Sequence, residues 1–179
     1  INKATDPTED TPFIDEDDAV FGIDDTMAGE EAIEQLRVGF GLSGEHRILM
    51  RFDLGAVPNK AEIVSAQLVL TSNDLGVGDV EVELGPATAA WTQDVSWEDH
   101  PPLDNENLQT LSLDEGSAAE EIDLKDIVQQ WRSGDRPNHG LLLRAVKQDF
   151  EAHKSFYNVK SGNGGSGPRL QISYRRPGS

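Results

Sequence analysis

The sequence predicts an all-β protein, a jelly-roll-like antiparallel β-sandwich of about eight or nine strands with one short capping helix. Three observations support this fold class. Apolar and polar residues alternate with a period of two in several short segments. Clusters of Gly, Pro, Asn and Asp separate these segments, as in short strands joined by turns. One face of each segment is polar, which indicates antiparallel strands.

Four segments have the clearest strand pattern. In residues 79–84, acidic side chains alternate with Val80, Val82 and Leu84. The other three segments are 47–54, 66–70 and 169–174. Shorter candidate strands are 11–15, 35–40, 108–113, 140–146 and 155–159.

The predicted helix covers residues 124–132 and closes one end of the sandwich. Its apolar face is formed by residues at helical spacing, namely Leu124, Ile127, Val128 and Trp131. Asp123 is a suitable N-cap, and Gly134 suits the left-handed conformation that follows a last helical turn. We expect this apolar face to lie in the core.

The chain of 179 residues is long enough for one domain with a substantial core. We expect a polar tail or linker at 1–10, the sandwich at 11–175 and a second tail at 176–179. A glycine-rich loop at 161–167 joins the last two predicted strands. The first residue is Ile1 rather than Met, as expected of a chain whose leader has been removed.

Composition and motifs exclude several classes of function. The net charge of -18 repels nucleic acids and anionic membranes. No apolar stretch is long enough to span a membrane, and the chain contains no cysteine for a disulfide or a thiolate metal site. The four histidines are scattered, and no hydrolase, zinc-protease or phosphate-binding motif is present. We therefore predict a protein that is not an enzyme, needs no cofactor, binds no nucleic acid and does not insert into membranes.

Charge is distributed unevenly between the two ends of the chain. Residues 1–36 contain twelve acids and one base, whereas residues 144–179 contain seven bases and two acids. Two interpretations follow. In one, the first and last strands lie side by side within one molecule; in the other, the ends of neighbouring molecules attract each other.

Three runs of residues carry a resemblance to a known family. They are LRVG at 36–39 with RILMRFDL at 47–54, AWTQDVSW at 90–97, and IDLKDIVQQW at 122–131 with NHGLLL at 138–143. In this order, over about residues 11–175, the chain resembles the DNRLRE-type domain, an extracellular β-sandwich module partly classed among carbohydrate-binding modules. The resemblance implies the sandwich fold, an extracellular or cell-surface location and no catalytic machinery.

Aromatic residues in these runs are candidates for sugar binding. Trp91 and Trp97 flank a turn, and each has either of two roles: it seals the sandwich or it stacks on a sugar ring. Tyr157 is a third candidate. A neutral or Ca²⁺-bridged polysaccharide fits the acidic surface better than a bare anionic one.

Calcium is the one metal that the sequence suggests, because Ca²⁺ binds six to eight hard oxygens. The candidate ligands, which otherwise form a solvated acidic loop, are Asp15, Asp17, Asp18, Asp24 and Asp25. The predicted role is a structural Ca²⁺ that orders this segment.

Two functions of different class follow from these observations. The first is a structural or adhesive subunit of a cell surface, matrix or fibre, whose partners are other copies of itself. Its candidate assembly residues are Phe13, Ile14, Arg175 and Arg176 at the oppositely charged ends. The alternative is a carbohydrate-binding module whose partner is a surface polysaccharide.

Overall fold

The computed structural model describes residues 16–22, 25–27, 35–42, 44–73, 76–92, 95, 97–146, 151–158 and 167–177, with only the backbone described for the first two ranges. Twelve strands and one α-helix lie within these residues, which confirms the all-β sandwich class. The strands are β1 (Glu16–Gly22), β2 (Asp25–Met27), β3 (Gln35–Gly41), β4 (Gly44–His46), β5 (Ile48–Arg51), β6 (Glu62–Thr71), β7 (Val80–Pro86), β8 (Gln109–Leu113), β9 (Ala119–Asp123), β10 (Leu141–Ala145), β11 (Ala152–Tyr157) and β12 (Arg169–Arg175). The helix is α1 (Lys125–Ser133).

The strands form three antiparallel sheets. The first sheet has the order β1-β12-β6-β9, the second β2-β5-β10-β7-β8 and the third β11-β3-β4. Most neighbouring strands are distant in sequence, as in sandwiches whose chain crosses repeatedly between sheets.

The described residues contain more strands than the eight or nine expected. Two additional strands, β2 and β4, are only three residues long. The acidic segment that contains the candidate calcium ligands, and that was expected to form a loop, contributes β1 and β2. The predicted strand at 11–15, the tail at 1–10, residues 161–166 of the glycine-rich loop and residues 178–179 lie outside the described residues.

The acidic β1 and the basic β12 are neighbours in the first sheet. Their antiparallel register places Glu16 opposite Arg175 and Gly22 opposite Arg169. This pairing confirms the interpretation in which the two ends of the domain lie side by side within one molecule. It also gives the opposite end charges a partner inside the chain.

The main core combines residues from all three sheets and the helix. Its fully buried members include Leu36 of β3, Met50 of β5, Leu68 of β6 and Phe156 of β11. Burying large side chains of this kind contributes about 1.5–3 kcal/mol each relative to leaving them exposed. The alternating residues predicted for these strands therefore supply the core.

The helix packs against the start of β6 and begins one residue later than predicted. Leu124 rather than the predicted Asp123 is the N-cap residue, because the helix begins one residue later, and Asp123 Oδ1 accepts a 2.8 Å hydrogen bond from the amide of Lys125. Gly134 has φ +85° and ends the helix in the left-handed conformation, as predicted. The apolar face, formed by Ile127, Val128 and Trp131, is buried as expected.

Gln129 attaches the polar side of the helix to the segment at the start of β6. Its Oε1 accepts from the amide of Ile63 at 2.8 Å, and its Nε2 donates to the carbonyl of Ala61 at 3.2 Å. These two bonds satisfy backbone groups that the helix would otherwise cover. The helix thus closes this part of the sandwich.

Lys154 of β11 is a charged residue inside the protein. Its side chain is fully buried, and Nζ donates to the carbonyls of Asp114, Glu115 and Ser117 at 2.6, 3.2 and 2.8 Å. An ammonium group has three donors, and all three are satisfied here. The side chain therefore fixes the turn between β8 and β9 from within.

Candidate functional site

A loop covers the outer face of the second sheet and positions both candidate tryptophans. In β5 and β10, alternate residues face the main core, whereas Leu49 and Leu142 belong to a second apolar cluster. The segment that follows β7 supplies the rest of this cluster, including Trp91 and Leu103. A bridge between Ala87 and Leu103 closes the segment on itself. The two buried faces explain why three consecutive leucines occur in β10.

Trp91 is part of this cover. Only 5% of the residue is exposed, and its Nε1 donates a 2.6 Å hydrogen bond to the carbonyl of His139. The Arg51 guanidinium lies 5.4 Å from the ring centroid and donates to the Trp91 carbonyl at 3.2 Å. Because the ring is packed on this sheet, the structure places Trp91 in the sealing role rather than at the surface.

Trp97 lies in the same loop but points outward, with 51% of the residue exposed. The Arg47 guanidinium carbon lies 4.5 Å from the ring centroid, within the range of a cation–π contact. The His100 ring lies 5.7 Å from the same centroid and is inclined by 76°. Two side chains therefore hold an exposed aromatic ring in a fixed orientation.

Arg47 and His100 contact each other beside the Trp97 ring. Arg47 NH1 donates to His100 Nε2 at 2.7 Å. Groups on opposite faces would be separated by roughly the sum of their distances to the ring, which excludes this bond. Arg47 and His100 therefore do not lie on opposite faces of the ring.

Glu45 fixes the position of Arg47. The two side chains project from the same side of the chain, two residues apart at the end of β4. Arg47 donates from Nε and NH2 to the two carboxylate oxygens of Glu45 at 2.8 and 2.9 Å. This bidentate pair is partly buried, because 23% of the Arg47 and 20% of the Glu45 side chain are exposed.

The hydrogen-bond partners of His100 assign the roles of its two ring nitrogens. A guanidinium only donates, so Nε2 accepts the bond from Arg47. A carbonyl only accepts, so Nδ1 donates to the carbonyl of Pro101 at 3.0 Å. Glu45, Arg47 and His100, named here the polar rim, are therefore joined by hydrogen bonds.

Tyr157 lies elsewhere on the third sheet. It is partly buried and pairs with Gln35, whereas Glu45 of the polar rim pairs with Phe40. Five positions of β3 separate these two registers, which is about 17 Å along a strand. The structure therefore does not bring Tyr157 to the polar rim.

The other predicted site residues lie away from this site. Arg175 ends β12 and donates to Glu62 of β6 at 3.2 Å, and Arg176 is exposed directly after the strand. Phe13 and Ile14 lie outside the described residues. The assembly role of these four residues stays a prediction.

The calcium ligands proposed from sequence also stay a prediction. Asp17 and Asp18 belong to β1 and Asp25 to β2, where the backbone alone is described. Asp15 and Asp24 lie outside the described residues. Elsewhere in the described part of the chain, no group of three or more His, Asp or Glu side chains is arranged to hold a metal.

Comparison with known proteins agrees with a binding module. The sequence model of carbohydrate-binding module family 96 matches residues 2–174. This match confirms the relation to carbohydrate-binding modules, while the DNRLRE-type label stays a resemblance. No curated protein matches the chain. Within the described residues, no helix is long and apolar enough to cross a membrane.

Proposed function

Because this chain belongs to carbohydrate-binding module family 96, we propose that it is a non-catalytic extracellular module that binds a polysaccharide through the exposed part of the Trp97 ring. The observation that carries this proposal is a half-exposed indole ring that contacts Arg47 and His100. The exposed large hydrophobic residues of the described part are Leu42, Val77 and Trp97, of which Trp97 is aromatic. A flat aromatic face matches the apolar C–H face of a pyranose ring.

The fixed orientation of the ring favours binding. Immobilising a side chain on association costs about 0.5–1.5 kcal/mol. Arg47 and His100 already restrict Trp97, so less of this cost remains when a sugar binds. The polar rim beside the ring offers donors and an acceptor for sugar hydroxyl groups.

The test is binding of the protein to a panel of soluble and insoluble polysaccharides, with Trp97→Ala as the main variant. We expect this change to weaken binding at least about tenfold, as for an aromatic anchor at the centre of an interface. Leu42→Ala is the matched control, because Leu42 is 97% exposed and lies in another turn. Equal affinity of the wild type and Trp97→Ala would contradict the proposal.

Self-assembly through Phe13, Ile14, Arg175 and Arg176 is a separate hypothesis with weaker support. Its basis is the opposite charge of the two ends of the chain. However, the acidic β1 and the basic β12 pair with each other in the first sheet of the same molecule. Sedimentation velocity over a wide concentration range tests it. A monomer at every concentration would contradict assembly and leave the polysaccharide proposal intact.

A further inference from the structure

We propose that the turn between β8 and β9 is a cation-binding site that the chain fills with an ammonium group of its own. Lys154 of β11 supplies this group. The ligand class is a primary ammonium ion rather than a metal ion, and a free ion of this class binds in the turn when the lysine side chain is shortened. The site shares no residue with the polysaccharide site proposed at Trp97.

Three carbonyl groups of the turn point at one position inside the protein. The carbonyl oxygens of Asp114, Glu115 and Ser117 lie 2.6, 3.2 and 2.8 Å from Lys154 Nζ. Carbonyl oxygens have partial negative charge and repel each other where they converge, and backbone carbonyls are common ligands of cations. The turn therefore has the ligand arrangement of a cation site.

Contacts that do not involve Lys154 also hold the turn in place. Asp79 Oδ1 accepts a 2.8 Å hydrogen bond from the amide of Glu115. The carbonyl of Ala118 accepts a 2.9 Å hydrogen bond from the amide of Ser72. Because these bonds do not depend on the lysine side chain, we expect the three carbonyls to keep their positions when it is removed. They would then be available to another cation.

The charge of the turn favours a positive ligand. Asp79, Asp114 and Glu115 are acidic and exposed, and all three belong to the turn or bond to it. Lys154 is fully buried, and a buried charge is costly unless it is hydrogen-bonded and its surroundings compensate it. The three carbonyls satisfy the ammonium group directly, and the field of the surrounding acids adds to this stabilisation.

The number of acceptors identifies a primary ammonium group as the ligand. Such a group has three N–H donors, and three carbonyl oxygens accept from Nζ here. Ca²⁺ would need six to eight oxygens, including water molecules or carboxylates. Lys154 has 0% exposure, so its position leaves no room for a shell of water. An ammonium ion therefore fits this position, and Ca²⁺ does not.

The path that leads to the carbonyls is narrow. Lys154 lies opposite the buried Val38 in the register of the third sheet, and a Cβ added at Gly76 would lie 3.6 Å from Lys154 Cδ. Lys154→Ala would empty this path and keep Cβ. Cβ and Cε of an extended lysine are about 3.9 Å apart, an ordinary distance between unbonded carbons. Methylammonium can therefore take the positions of Cε and Nζ without a collision.

The test is rescue of Lys154→Ala by methylammonium chloride, measured by urea denaturation at constant ionic strength. At about 0.2 M, we expect methylammonium to raise the folding equilibrium constant of this variant at least about threefold relative to NaCl, because it binds the native state. Tetramethylammonium has the same charge but no N–H donor, so it should cause no increase. The wild type should not respond, because its own ammonium group fills the site.

Lys154→Met is the matched control variant. Its side chain still fills the path to the carbonyls, so methylammonium should not stabilise it. An equal response of the two variants would overturn the proposal, and so would an equal response of Lys154→Ala to methylammonium, tetramethylammonium and NaCl. If Lys154→Ala is unfolded in buffer, sucrose brings it into the folding transition and the same comparison applies.

The wild type provides a measurement that needs no variant to fold. Acetylation of the native protein, followed by mass spectrometry of its peptides, compares Lys154 with the exposed Lys60 and Lys125. We expect Lys154 to react at least about 100-fold more slowly, because its ammonium group must first leave the turn by local opening. Equal rates at the three lysines would overturn the proposal. Each of these outcomes leaves the polysaccharide proposal intact.

Discussion

Trp91 Nε1 donates a 2.6 Å hydrogen bond to the carbonyl of His139, 48 residues further along the chain. The neighbouring Asn138 donates from Nδ2 to the carbonyl of Phe52 at 2.8 Å. Gly140 follows with φ +82°, and an added Cβ there would collide with the carbonyl of Met50. These three contacts attach the covering loop and the start of β10 to the end of β5. Trp91 therefore has a structural role that Trp97 of the same loop lacks.

The two tryptophans should differ in their effect on stability. Trp91→Phe removes the donor to His139 and leaves a carbonyl without its partner, so we expect the free energy of unfolding to fall by about 1–3 kcal/mol. Trp97→Phe should change it by less than about 0.5 kcal/mol, as for other surface substitutions. Urea denaturation followed by circular dichroism measures both. Similar losses in the two variants would contradict this assignment of roles.

Lys154 should be one of the more sensitive positions of the fold. Lys154→Met keeps the buried aliphatic chain but leaves three carbonyls of the β8–β9 turn without their donor. We expect a loss of about 3 kcal/mol or more in the free energy of unfolding. Lys125→Met at the exposed start of α1 is the control and should cost at most about 0.5 kcal/mol. A similar loss of unfolding free energy in both variants would contradict a structural role of the buried Lys154 ammonium group.

Asp104 should stabilise the protein only when it is ionised. The pKa of Asp104 lies below its ordinary value of 3.8. The largest cause is the 2.9 Å hydrogen bond from the Glu106 amide to Oδ1, and Arg136 and Asn107 lower the pKa further. Burial of the carboxyl group acts in the opposite direction. A lowered pKa means that the contribution is complete above the unfolded value and is lost as pH falls through the folded value.

Asp104→Asn tests this dependence. At pH 7 we expect the variant to lose about 1 kcal/mol in the free energy of unfolding. The difference from the wild type should shrink as the pH falls below 3.8, measured by urea titrations across the acidic range. In Arg136→Gln the pKa of Asp104 is lowered less, so the shrinkage should begin at the same pH but be smaller and be complete at a higher pH. A difference that does not change with pH would contradict the assignment.

The calcium prediction from the sequence has a direct thermal test. If Asp15, Asp17, Asp18, Asp24 and Asp25 contribute to a Ca²⁺ site, saturating Ca²⁺ should raise the melting temperature by about 5 °C or more. Asp17→Asn/Asp18→Asn should reduce this increase, and Mg²⁺ serves as the control ion. A melting temperature that responds neither to EDTA nor to added Ca²⁺ would contradict the prediction.

Sequence periodicity predicted the elements in which burial alternates. The strand expected at 79–84 is β7 (Val80–Pro86), and the strand expected at 169–174 is β12. The helix expected at 124–132 is found at Lys125–Ser133 because its apolar face and terminal glycine are local signals. Local patterns were less informative for β9, whose sequence AEEID contains one buried aliphatic residue. Its strand conformation depends on pairing with β6.

The candidate site was only partly predictable. Sequence identified both tryptophans but left open which one is buried, because that depends on the sheet that the loop covers. Leu49 and Leu142, apolar residues on the side of β5 and β10 opposite the main core, were a signal that this sheet is covered on its second face. Arg47 and His100 were not predicted as site residues, since they are 53 positions apart and meet only in the folded chain.

The neighbouring positions of β1 and β12 determine how the domain responds to mechanical force. Glu16, where β1 begins, and Arg175, where β12 ends, form one end of the ladder. Tension applied at these two residues would separate the register pairs one after another, starting at Glu16–Arg175, instead of loading all of them at once. Breaking the strand pairs in succession requires less force than breaking all of them together. A module of this kind is better suited to being carried beside a polysaccharide than to bearing load in series along a fibre.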